Sequence, residues 1–146
     1  MKRPDVFHLN RMEKDMLFMV CYDGSSQSKI ALQVAEKYAK GFEATLLLTT
    51  ALEGDPKEQL NKLEEAEAIL KEAAKYFAER NIPIETKMLP ANNMSIGENL
   101  VFLAEDKRVS KIIMGTSRKS KVGKFVFGST TQHVILTAHC PVIAVK

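Results

Sequence analysis

The 146-residue chain is expected to fold as a single α/β domain, a doubly wound, five-stranded parallel sheet with four helices in a three-layer α/β/α arrangement. Three observations predict it. Short, near-continuous apolar runs alternate with longer stretches whose apolar residues recur three and four positions apart, the pattern of strands covered on both faces and joined by crossover helices. Turn chemistry follows two of the runs, Asp23-Gly24-Ser25-Ser26 after the first and Gly115-Thr116-Ser117 after the fourth. The length suits one core that buries about two-thirds of the unfolded surface, with little left for a second domain.

Each element has its own signal. Met16 to Cys21 is an apolar run that stops at Asp23-Gly24, the first strand. Ser25, Ser26 and Ser28 offer N-caps for a helix with Ile30, Ala31, Val34, Ala35 and Tyr38 on its apolar stripe and Gly41 as its stop. Thr45 to Thr50 is the second strand. Pro56 to Arg80 carries Leu63, Ala66, Leu70, Ala73 and Phe77 on one stripe among Glu and Lys, a long amphipathic helix. Ile84 to Leu89 alternates like an edge strand, and Pro83 before it agrees. Ile96, Leu100, Leu103 and Ala104 mark the third helix, and Ile112 to Met114 the fourth strand, ending at Gly115. Val134, Ile135 and Ala138 form the face of a last helix before the strand Val142 to Val145. Right-handed crossovers then give a parallel sheet whose ligands bind beyond the carboxyl ends of the strands, where strand order reverses.

Composition excludes several classes. At 45% hydrophobic and 27% charged residues the chain is an ordinary globular sequence, neither disordered nor fibrous. A net charge of +3 admits anionic ligands but falls short of a nucleic-acid-binding signature. No apolar run approaches the roughly 20 residues that span a bilayer, so no membrane partner is expected. Residues 1–15 carry Lys2, Arg3, Arg11 and Lys14 with no apolar core after them, and read as a weakly structured N-terminal extension rather than a signal peptide. The domain proper is residues 16–146, and a cytosolic location is expected. Cys21 and Cys140 lack metal-ligand partners at useful spacing and read as buried, reduced thiols. His8, His133 and His139 are scattered and read as structural or surface residues.

The stretch from 112 to 130 carries the chemistry. A phosphate site needs backbone N–H groups converging on one point, which requires glycine where a side chain would block the approach, and it gains from a helix N-terminus aimed at the anion. Gly115 ends a strand, Gly128-Ser129-Thr130 opens a helix, and Arg118, Lys119, Lys121 and Lys124 lie between. These cations are by default a solvated face, though they raise the local potential for an anion. Gly123-Lys124 is followed by Phe125 and lacks the spacing of a Walker A loop. Asp23 before Gly24 reads equally as a turn former, and Ser129 and Thr130 as caps of the last helix.

In these features residues 16 to 146 resemble the universal stress protein family. Its nucleotide-binding members carry Gly-x2-Gly-x9-Gly-[Ser/Thr] after the fourth strand, opening as Met-Gly-Thr. Here Met114-Gly115-Thr116-Ser117-Arg118 is followed by nine residues and then Gly128-Ser129. His139-Cys140-Pro141-Val142 is similar to the family's tail strand, and Asp23-Gly24-Ser25 to its first-strand turn, whose aspartate the resemblance places near the ribose or base. Thr50 falls where adenine-binding members often place a valine. The resemblance thus implies ATP or a related adenine nucleotide held by Asp23, Gly24, Ser25, Thr50, Met114, Gly115, Thr116, Arg118, Gly128, Ser129 and Thr130, with Mg²⁺ only alongside the nucleotide. It also implies a homodimer paired through Val142 to Val145.

Arg118 stands where the family has its second glycine. Two outcomes are open. The arginine swings outward and leaves the cradle intact, even adding a charge-assisted contact to a phosphate oxygen, or it imposes another backbone path and the cradle is lost. The first gives a stress-response regulatory protein that binds nucleotide, the second an interaction protein acting through its dimer surface. An adenylating enzyme of the wider nucleotide α-hydrolase-like fold is a third reading, faintly favoured by Asp23 to Ser28. With no Ser-His-Asp ordering, paired carboxylates or metal cluster in the sequence, slow ATP hydrolysis is the most chemistry expected.

Overall fold

The computed structural model describes residues 16–58, 60–116 and 127–146. The N-terminal extension and Ser117, Arg118, Lys119, Lys121 and Lys124 of the predicted loop lie outside the described residues. In chain order the elements are β1 (Leu17–Cys21), α1 (Ser26–Phe42), β2 (Thr45–Ala51), a 3₁₀ turn (Pro56–Glu58), α2 (Leu60–Ala78), β3 (Ile84–Leu89), α3 (Ile96–Asp106), β4 (Lys111–Gly115), α4 (Ser129–Thr137) and β5 (Val142–Val145). The strands form one parallel sheet in the order β3-β2-β1-β4-β5. The expected α/β architecture is therefore present, with β3 at an edge as its alternation and exposed Glu85, Thr86 and Lys87 predict.

Right-handed crossovers explain the layering. From β1 to β3 the chain steps one way along the sheet, and from β3 it crosses back to β4 and β5, so the two sets of helices land on opposite faces. Alternate strand residues serve the two cores accordingly. Phe18, Val20, Leu46, Leu48 and Ile113 pack under α1 and α2 with Ala31, Ala35, Leu70 and Phe77. Met19, Leu47, Ile112 and Met114 pack under α3 and α4 with Leu100, Leu103 and Val134. The order reverses between β1 and β4, and this opens a crevice at their carboxyl ends.

Four local expectations are corrected. Helix α1 runs through Gly41 to Phe42, and the left-handed cap is Glu43 at φ 52°, because Phe42 gains an edge contact with Phe18 at 5.6 Å and stacks on Tyr38 at 6.2 Å. The stretch from Pro56 to Arg80 begins as a 3₁₀ turn, and its α-helix closes at Ala78. Ile30 and Ile135 point outward, and the residues that α4 buries are Thr131 and Val134. Both cysteines are free thiols but only half-buried, since Cys21 ends β1 at the crevice and Cys140 precedes the edge strand.

Candidate functional site

The crevice is built where β4 meets the first turn of α1. A Cβ on Gly115 would sit 2.6 Å from the Gln27 carbonyl carbon and 2.7 Å from the Ser28 nitrogen, so only glycine lets these two backbones approach. That approach is supported from below by a self-contained turn. Gly24 takes φ 81°, the Asp23 carboxylate accepts the Ser25 N–H at 2.9 Å, and the Ser25 hydroxyl accepts the Ser28 N–H at 3.2 Å as the N-cap of α1. Ser28 in turn donates its hydroxyl to the Ser25 carbonyl at 2.9 Å.

The resulting cleft has a volume of about 440 Å³ and is lined by the ends of β1, β2 and β4, the buried side of α3 and the start of α4. This size lies within the range of small-molecule sites. At one end α4 begins at Gly128, which has extended geometry and gives no side-chain cap hydrogen bond. The contrast is with α1 and α3, whose first turns are capped by Ser25 and by Ser95, the latter accepting the Glu98 N–H at 3.1 Å. Ser129, Thr130 and Thr131 thus bring an uncapped helix N-terminus to the cleft that Gly115 also lines. The lining also takes in Thr49, Thr50 and Ala51 of β2 and Ile96 and Leu100 of α3. The cleft therefore has a wall of backbone N–H groups and a largely apolar recess.

A carboxyl and a thiol in the cleft lining both titrate away from their ordinary values. Burial pushes the Asp23 carboxyl up, but hydrogen bonds from Ser25 and Ser28 outweigh it and hold the group below its ordinary value. Burial, aided by the Asp23 charge, pushes the Cys21 thiol up to about 12, so it remains a neutral thiol at neutral pH. Among the described residues no group of three or more His, Cys, Asp or Glu is placed to hold a metal ion.

Of the residues singled out from sequence, Asp23, Thr50, Met114, Gly115, Gly128, Ser129 and Thr130 line the cleft. Gly24 and Ser25 instead shape the turn beneath it. Thr116 faces away, its N–H and hydroxyl both donating to the Val145 carbonyl at 2.7 and 3.1 Å. Arg118 lies outside the described residues. The cap role considered for Ser129 and Thr130 is taken by Gly128, which leaves both inside the first turn. Sequence reasoning missed Cys21, Tyr22, Ser28, Thr49, Ala51, Ile96, Leu100 and Thr131. The available signal was position alone, since several of them end strands or start the helix beyond one.

The sequence model of the universal stress protein family matches residues 17–146. The chain belongs to that family. It is 33% identical over 138 residues to a universal stress protein of Methanocaldococcus jannaschii, covering 85% of this chain and 78% of that one. It is also 33% identical over 137 residues to one of Thermus aquaticus, covering 88% and 96%. Among solved structures, a universal stress protein of Archaeoglobus fulgidus superposes with a TM-score of 0.82 at 25% identity, covering 90% of this chain and 98% of that one. Structures of relatives with the same fold hold adenine nucleotides. They include the Archaeoglobus fulgidus protein in complex with dAMP at TM-score 0.76, a universal stress protein in complex with cAMP at 0.72, and an Arabidopsis thaliana family member with AMP bound at 0.66. Their identities to this universal stress protein are 23%, 21% and 14%, with 90% of the chain covered in each and 98%, 97% and 91% of the relatives.

Proposed function

We propose that this universal stress protein is a cytosolic stress-response regulator that binds an adenine nucleotide, ATP or a shorter relative, at the crevice between β1 and β4. One observation carries the reading. Gly115 lies in close backbone approach to the first turn of α1 and lines one cleft with the uncapped N-terminus of α4. Unsatisfied N–H groups and the positive end of a helix dipole favour an anion there, as a phosphate would supply. The apolar recess beside β2 is the complementary place for a base, and the relatives holding dAMP, cAMP and AMP support that ligand class. Mg²⁺ enters only with the nucleotide, Asp23 being the carboxylate among the described lining residues. Thermal unfolding in the presence of AMP, ADP and ATP tests the reading. Saturating ligand raises the melting temperature, by about 2.7 kcal/mol of stabilisation at a hundredfold excess over Kd. No shift with any of the three would refute it.

A homodimer through β5 belongs to the same proposal. The carbonyls of Pro141 and Val145 accept from Ile112 and Thr116 of β4, so alternation turns the backbone groups of Val142 and Ala144 toward the open edge. That edge carries no charge and is half-exposed along its length, whereas the opposite edge, β3, exposes Glu85 and Lys87. An uncharged open edge invites a second strand, and two copies pair edge to edge about a twofold axis. If Arg118 closes the phosphate wall, this edge sustains the second reading, an interaction protein acting through its dimer surface.

A further inference from the structure

Two buried side-chain polar atoms among the described residues have no hydrogen-bond partner, the Tyr22 and Thr49 hydroxyls. Both residues line the cleft, but they serve opposite faces of the sheet. Tyr22 belongs to the core under α1 and α2, while Thr49 follows the alternation of Leu47 and Ala51 toward α3 and α4. Around Thr49 the recess is apolar. Cys21 lies directly across from it in the β1–β2 register, Met114 is one strand further, and Ile96 and Leu100 cover it from α3. Valine has the same shape and would fill this position with no polar atom to satisfy. A buried hydroxyl without a partner weighs on the unliganded protein, and such a group calls for an explanation.

The position of Thr49 supplies one. Gly115 ends β4 and Thr49 lies near the end of β2, with β1 between them, so the two are separated by two strand spacings, about 10 Å. That is the reach from a nucleotide phosphate across its ribose to the base. We infer that the Thr49 hydroxyl pairs with the polar edge of the base and selects a 6-aminopurine over a purine lacking the amino group. The inference rests on the nucleotide reading above. The hydroxyl oxygen accepts from the 6-amino N–H, a pairing that a purine lacking the amino group cannot make. A base without the amino group leaves the hydroxyl as poorly paired as in the empty cleft, and discrimination arises from that loss.

The test crosses two ligands with three proteins. AMP and purine riboside 5′-monophosphate, which lacks the 6-amino group, are titrated calorimetrically into the wild type, Thr49→Val and Thr49→Ser. Each unliganded protein is also melted. The wild type is expected to prefer AMP by about tenfold. Thr49→Val loses that preference by weakening AMP alone, Thr49→Ser keeps it, and unliganded Thr49→Val melts about 3 °C higher because an unpaired hydroxyl is gone. The rise in stability together with the loss of affinity separates a ligand-reading hydroxyl from a structural one. If the wild type binds AMP and Thr49→Val binds it equally well, or loses both ligands equally, the inference is overturned while nucleotide binding stands. If the wild type binds neither ligand, the nucleotide reading fails and the inference with it.

Discussion

Gly115→Ala is the most direct perturbation of the site's framework. The added methyl carbon would stand 2.6 Å from the Gln27 carbonyl carbon, 2.7 Å from the Ser28 nitrogen and 2.9 Å from the Gln27 Cβ. Ordinary carbon contacts begin at about 3.5 Å, so the backbones must separate by about 1 Å. Neither side yields easily. Gly115 is paired with Val145 in the β4–β5 ladder, and Ser28 is held by the Ser25 cap. Overpacking typically costs about 1 to 3 kcal/mol, and with backbone on both sides the upper part of that range, about 2 to 3 kcal/mol, is expected. For a chain of this size that lowers the melting temperature by about 5 to 10 °C. Calorimetric melting and urea unfolding read it independently. A Gly115→Ala protein that melts within about 2 °C of the wild type would refute the claim that close backbone approach, rather than chance, puts glycine here.

The opposite outcome is expected at Gly41, which lies inside α1 with nothing within 4 Å of the place an alanine methyl would take: Gly41→Ala should stabilise by about 0.5 to 1 kcal/mol in urea unfolding, and a destabilised variant would contradict the helix assignment there. Glu36 ties α1 to α2 by accepting from Tyr76 at 2.9 Å, with Arg80 at 3.4 Å, and it also accepts from Lys40 one turn along α1 at 2.9 Å. Hydrogen bonds from Lys40 and Tyr76 hold its carboxyl below the ordinary 4.5, so the stability it supplies is fully present above that value and is lost as pH falls through the lower folded one. Urea midpoints measured from pH 7 down to 3 should therefore fall less steeply for Glu36→Gln than for the wild type, and identical acid limbs would contradict the bridge. Ala144→Pro removes an outward N–H of β5 without breaking its ladder with β4, so light scattering should move from twice 16.3 kDa to 16.3 kDa. A variant that stays dimeric places the interface elsewhere.

Much of the architecture was legible because it rests on local pattern. Apolar runs such as Leu46-Leu47-Leu48 and the stripe Ala66, Leu70, Ala73, Phe77 identify their elements without knowledge of the rest of the chain. What pattern cannot carry is pairing at long range. That β4 lies beside β1 is written in contacts such as Val20 with Ile113, about ninety positions apart, and only this neighbourhood brings Asp23, Gly115 and Gly128 to one cleft. Glycine punctuation misled at Gly41 because the ring of Phe42 found partners on Phe18 and Tyr38, a tertiary gain that outweighs the local signal. Likewise, spacing of three and four does not fix the width of a stripe, so Ile30 and Ile135 were assigned to faces they do not share. Thr49 escaped notice for a simpler reason. A threonine in a strand is unexceptional until its hydroxyl is found buried and unpaired.

The central claim is that the cleft beside Gly115 and Gly128 holds an adenine nucleotide, and native mass spectrometry of freshly purified protein, with and without added ATP and Mg²⁺, addresses it most directly. Arg118→Gly, which restores the family's glycine, belongs beside the wild type. The account predicts that the wild type carries or takes up one adenine nucleotide per chain. Uptake by Arg118→Gly alone would contradict it, assigning the wild type instead to an interaction protein whose phosphate wall the arginine has closed.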